Sequence, residues 1–200
     1  IYQMYDFVKP KGSDKKISSS AGENTLTLDD LKQIYSPEMI RFLFSQNKPK
    51  SELVLAFDEE IIQVYDRFDR FEKTYFDEIE MENEKKEKHR ERVYEIAMVD
   101  IPEEQPVRIP FKHASLLAQT IPEDEWNTTA FESLRSTGHI PEELSEEQRE
   151  QVLSRLEKAK NWARNYAPED YLYSINEEPD EEVLDELSDE ELEAVEILYG

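Results

Sequence analysis

Cysteine is absent from these 200 residues, so neither a disulfide nor a thiolate metal site can form, and an intracellular, cytoplasmic setting is the expectation. Histidine is scarce: only His89, His113 and His139 occur, too far apart for a metal-ligand pair at helical spacing. No apolar run approaches the roughly 20 residues needed to cross a bilayer, and the opening stretch does not resemble a signal peptide. Basic residues are outnumbered, with 24 Lys and Arg against 48 Asp and Glu and a net charge of −24. The shortfall is uneven. Residues 1–50 carry eight basic and six acidic groups, whereas residues 167–200 carry fourteen acidic groups and no basic one. Nucleic-acid binders present basic surface to phosphates, so any such contact here has to be a local patch on a repelling body.

What is present is a polar, helical chain, 38% hydrophobic and 36% charged, long enough for one sizeable core or two small ones. It opens with Ile1-Tyr2-Gln3-Met4-Tyr5-Asp6-Phe7-Val8, an alternating apolar stretch that reads as a strand. A lone strand is a poor independent element. The chain therefore reads as a carboxy-terminal portion of a longer protein. Next come Lys16-Ile17-Ser18-Ser19-Ser20-Ala21-Gly22. A lysine ammonium, three hydroxyls and the free backbone of Gly22 can close around polyphosphate oxygens. The competing reading of the same residues is a solvated serine-rich connector.

Helices follow. Thr27 or Asp29 can cap a short one through Ile34, and Ser36-Pro37 is a second start, its helix turning Met39, Ile40, Leu43 and Phe44 inward. Residues 51–57 read as an extended connector, after which Asp58 is expected to cap the longest helix. There Ile61, Val64, Tyr65, Phe68, Phe71, Tyr75 and Ile79 recur at steps of three and four, with Asp66/Arg70 and Asp69/Lys73 paired four apart on the other face. Residues 82–92 lead into a helix holding Val93, Ile96 and Ala97. Pro102, Pro106 and Pro110 then break the pattern, marking a subdomain boundary. Beyond it, Phe111 to Ile121 forms a helix with Leu116, Leu117 and Ile121 inward, and another runs from Glu123 to Ser136, ending near Gly138. Ser145-Glu146-Glu147-Gln148 is a capping box, opening a helix that buries Val152, Leu156, Ala159, Ala163 and Tyr166. Ser188-Asp189-Glu190-Glu191 is a further capping box in the acidic tail.

The densest mixture of basic and aromatic groups in the second half is Arg155, Lys158, Lys160, Trp162 and Arg164. One reading is a solvated face balancing neighbouring acids. The other is an RNA-contacting patch, the cations holding phosphates and Trp162 stacking on a splayed base. Arg108, Lys112 and His113 can extend the same strip, or pair locally with Glu103 and Glu104.

The loop Lys-Ile-Ser-Ser-Ser-Ala-Gly at 16–22, with IYSPEMIRFLFSQNKP at 34–49, AFDEEIIQVYDRFDRFE at 56–72 and IPFKHASLLAQ at 109–119, is together similar to class I lysyl-tRNA synthetases over residues 1 to about 166. The loop resembles their KMSKS signature. Ser19 stands at the second lysine, Ile17 at the methionine, Ala21 at the basic residue before Gly22, and Glu23 at the asparagine after it. The resemblance implies that Lys16 stabilises the ATP triphosphate as the aminoacyl-adenylate forms, with Ser18, Ser19, Ser20 and Gly22 as further ATP contacts.

It also implies a mainly α fold: a helical bundle or α-helical cage in two subdomains, preceded by a remnant strand and the signature loop of a class I nucleotide-binding domain whose HIGH-type motif lies upstream. The expected division is 1–35 for the catalytic tail, 36–105 for a stem-contact region and 106–200 for an anticodon-binding region. The implied ligands are ATP, Mg2+, lysine and lysine-accepting tRNA, with Arg108, Lys112, Arg155, Lys158, Trp162 and Arg164 toward the tRNA, and with neither DNA nor a membrane as partner. The fragment alone is expected to be inactive. The alternative is an acidic helical scaffold that binds proteins and no RNA.

Overall fold

A computed structural model describes residues 8–10, 27–48, 50–175 and 188. The candidate phosphate residues Lys16, Ser18, Ser19, Ser20 and Gly22, most of the opening strand, and Asp189, Glu190 and Glu191 of the capping box at 188–191 lie outside that set.

The described chain is mainly helical. Strand β1 (Val8–Pro10) is followed by helices α1 (Leu28–Ile34) and α2 (Pro37–Ser45), strand β2 (Leu53–Leu55), then α3 (Glu60–Tyr75), α4 (Glu84–Met98) and α5 (Phe111–Thr120). A single 3-10 turn (Glu123–Glu125) and a π-helical turn (Trp126–Ala130) lead into α6 (Phe131–Ser136), and α7 (Glu146–Asn165) precedes a last 3-10 turn at Glu169–Tyr171. Part of the expected connector at 51–57 is β2, which pairs in parallel with β1, Val8 opposite Leu53.

Local chemistry explains the boundaries. Thr27 and Asp30 form a reciprocal capping box on α1, and the two hydrogen bonds from Thr27 hold the Asp30 carboxyl below its ordinary range. Ser145 and Gln148 do the same for α7, leaving few amides orphaned at either start. Asn83 accepts from the amides of Lys85 and Lys86 to open α4. Val99 closes that helix at φ 67°, a region costly for a β-branched residue. The Arg41 guanidinium meets the end of α4, donating to the carbonyl of Ala97 at 2.5 Å. Gly138 (φ 70°) ends α6 in the left-handed turn that glycine adopts without penalty.

Three expectations are corrected. Asp58 is not the cap of α3; Glu59 holds that position, although an Asp58 oxygen still accepts from the Glu60 amide. The longest helix among the described residues is α7, with 20 residues against 16 for α3. Leu116 points outward and is 40% exposed, while Phe111, Ala114, Ser115, Leu117 and Ala118 form the buried side of α5.

The buried side chains form one cluster from Leu31 to Trp162. It includes residues on both sides of the proline-rich segment at 100–110, and Ile109 of that segment belongs to it. Its centre is aromatic: Tyr65 stacks on Phe111 at 4.0 Å, and Phe111 meets Trp162 at 5.8 Å. Tyr35 and Tyr65 are buried, yet each phenol donates to a carbonyl, of Ala56 and Ile34 respectively, as buried hydroxyls require.

Candidate nucleic-acid interface

Helix α7 was expected to carry the basic face, and its buried stripe decides which of its cations face outward. Val152, Leu156, Ala159 and Ala163 point into the core as their spacing predicts. Arg155 and Trp162 share that stripe.

Arg155 is 5% exposed. Its guanidinium makes a two-pronged ion pair with Asp69 on α3 at 2.7 and 2.8 Å, donates to the Ile109 carbonyl at 2.8 Å, and lies over the Tyr65 ring. Three of its five N–H donors are thus engaged inside the protein. Trp162 is fully buried, with its indole N–H on the Phe57 carbonyl at 2.9 Å, so it offers no face to a base. Arg108 forks onto Glu72 rather than pairing with Glu103 or Glu104, with both contacts at 3.0 Å. Burial opposes the Arg108 charge, but Glu72 outweighs it and raises the guanidinium above its ordinary range. The same carboxylate accepts the Tyr94 hydroxyl at 2.9 Å. Burial, then the Glu72 charge, pushes that phenol upward. Arg108, Arg155 and Trp162 are thus parts of the fold, and the expectation that they contact RNA is withdrawn.

Lys158 shares a small crevice with Arg108 and Arg155, enclosing about 20 Å³ and also lined by Glu38 and Ser154. Arg164, in the last turn of α7, is exposed, as is Lys112 in the first turn of α5. Among the described residues, no hydrogen bond or ion pair engages the side chain of Lys112, Lys158 or Arg164. Lys160 is held by Glu123 and lies over the Trp126 ring. The predicted strip therefore divides: Lys158 and Arg164 belong to α7, while Lys112 lines a separate groove with His113 and His139.

Glu72 and Asp69 were missed as the anchors of this arrangement. The signal was present for Glu72, which follows Phe71 and sits four residues after Phe68, on the buried side of α3. No such pattern brings His139 to His113.

Residues 1–100 match the model of the class I (K) tRNA synthetases. The chain belongs to that family. It is 35% identical over 196 residues to the lysine–tRNA ligase of Thermococcus kodakarensis, covering 98% of this chain and 37% of that protein. The lysine–tRNA ligase of Borreliella burgdorferi is 32% identical over 188 residues, covering 92% of this chain and 34% of that protein. The one from Pyrococcus horikoshii is 37% identical over 181 residues, covering 89% of this chain and 33% of that protein. The chain spans about a third of the length of these relatives. Family membership leaves the protein-binding scaffold without support. No helix among the described residues is long and apolar enough to cross a membrane.

Proposed function

We propose that this chain is the part of a lysine–tRNA ligase that supplies the signature loop for ATP and a helical surface for lysine-accepting tRNA, in a cytoplasmic enzyme. The observation that carries the reading is the similarity to lysine–tRNA ligases along 98% of the chain. The assigned roles are specific. Lys16, with Ser18, Ser19, Ser20 and Gly22, neutralises and hydrogen-bonds the triphosphate, which favours the more charged transition state of adenylate formation. Lys158 and Arg164 on α7 and Lys112 on α5 hold tRNA phosphates. Magnesium would accompany ATP and offset phosphate charge, but among the described residues no group of three or more acidic or histidine side chains converges to hold a metal.

Two results test the reading. In the complete enzyme, Lys16→Ala is expected to slow ATP–pyrophosphate exchange by about two to three orders of magnitude, the range seen when a single transition-state donor is removed, while tRNA affinity stays within about twofold. An unchanged exchange rate removes Lys16 from the phosphate site. Replacing Lys158 and Arg164 together by alanine is expected to weaken tRNA binding and flatten the dependence of log K on log salt by about two phosphate contacts' worth. If both affinity and slope are preserved, the outer face of α7 is surface only.

A further inference from the structure

His113 and His139 are far apart in sequence, and the fold places their rings 4.4 Å apart at 63°. The left-handed turn at Gly138 brings the chain back past α5, and the hydrogen bond between His139 Nδ1 and the Thr137 hydroxyl, at 2.8 Å, orients the imidazole. On the other side, the Gln119 side chain grips the chain beyond α7. It donates to the Tyr171 carbonyl at 3.2 Å and accepts from the Tyr173 amide at 3.0 Å, which fixes Tyr173 beside the two histidines. Between them lies an open groove of about 360 Å³, lined by Pro110, Lys112, His113, Leu116, His139 and Tyr173.

Two properties of this groove select its occupant. The chain has 48 carboxylates against 24 basic groups, and the groove of Pro102 to Pro106 and the start of α7 is lined by Glu103, Glu104 and Glu147. The histidine groove has none among its lining residues, and has one exposed cation, Lys112. It is therefore a place on this acidic body where a polyanion can approach without meeting a carboxylate at the wall. Its walls are also flat rings, two imidazoles and a phenol, and burial together with the neighbouring His139 holds His113 below the usual histidine range, leaving it a neutral ring near pH 7. Flat, pre-positioned rings beside a lysine are the elements with which proteins hold an unstacked base and its phosphate.

We propose that this groove binds one unstacked nucleobase of single-stranded RNA, stacked on its histidine and tyrosine rings, with Lys112 on the adjoining phosphate. The inference rests on the tRNA-binding reading above and adds a subsite to it. Duplex RNA cannot fill this subsite, because its bases are already stacked.

The test is nuclear magnetic resonance of the histidine rings in the 200-residue chain, titrated with a short single-stranded oligoribonucleotide and, separately, with a duplex of equal length. Three histidines make the spectrum self-controlled: His113 and His139 line the groove, and His89 sits on α4. The expected result is saturable shifts at His113 and His139 with the single strand alone, and no change at His89. His139→Ala should weaken binding on the order of tenfold at unchanged salt slope, and His139→Phe should restore it. Still histidine signals, equal response to duplex, or shifts that follow protein concentration and so report a second copy in the groove would each overturn the proposal. The tRNA reading fails separately. If Lys158→Ala with Arg164→Ala weakens tRNA binding while the histidines stay silent, the subsite falls and the reading stands; the converse leaves a single-strand site without the tRNA assignment.

Discussion

Arg155→Met is expected to destabilise the chain by about 3–5 kcal/mol, the range for breaking a buried ion pair from one side, measured by chemical denaturation. The change removes a charge that is 5% exposed and leaves the Asp69 carboxylate, whose side chain is 16% exposed, without its two-pronged partner. It also leaves the Ile109 carbonyl without its donor. The size of the loss comes chiefly from the abandoned carboxylate. Adding Asp69→Leu should therefore recover most of the loss, because an apolar pair of similar volume replaces a buried ion pair at little cost. A loss under about 1 kcal/mol for the single variant would place the pair in the class of solvent-screened contacts. Failure of the second substitution to recover stability would mean that the geometry of the cluster matters more than its charge balance.

Trp162→Ala is the second large effect, with an expected loss of about 3–5 kcal/mol for truncating a fully buried aromatic. The indole touches the rings of Phe111 and Tyr171, and its N–H is the partner of the Phe57 carbonyl, so a cavity and an orphaned acceptor appear together. The consequence for RNA is specific. Any weakening of tRNA binding should follow the unfolded fraction and vanish at a temperature where the variant is folded. Weakened binding by fully folded protein would instead return Trp162 to the interface. Near-native stability would contradict the packing itself.

These two residues also measure what could be read from the chain alone. The amphipathic stripe of α3, the capping box at Ser145, the glycine stop at Gly138 and the start at Ser36-Pro37 were all legible, because each depends on spacing or on a local backbone need. Arg155, Trp162 and Glu72 were misplaced or missed although spacing placed them correctly. Positions 152, 155, 156, 159, 162 and 163 follow the three-and-four rhythm of a buried face, as do 61, 64, 65, 68, 71 and 72. Residue type competes with that rhythm: a charge reads as facing water, and a tryptophan beside lysines offers an RNA-stacking reading beside that of a solvated face. Leu116 is the mirror case, an apolar residue assumed buried although 111, 114, 115 and 118 already define the inner side of its helix. The pairing of Asp69 with Arg155 and the meeting of His113 with His139 were out of reach, since tertiary approach alone creates them. For the signature loop, the reading rests on the residue order and the family match.

The position of α7 bears on the order in which the molecule can be assembled. The Asn161 side chain donates to the Gln33 carbonyl at 3.2 Å, across 128 positions of sequence, and Trp162 closes on Phe57 across 105. Helix α1 packs directly against α7. During synthesis, at about 5–20 residues per second, the first helices emerge many seconds before the helix that covers them. Through that interval α1 and α2, of 7 and 9 residues, are too short to be stable as isolated helices in water. Helix α7, the last long helix among the described residues, completes the packing of the first, so the described amino-terminal segments acquire their native stability only when α7 has left the ribosome.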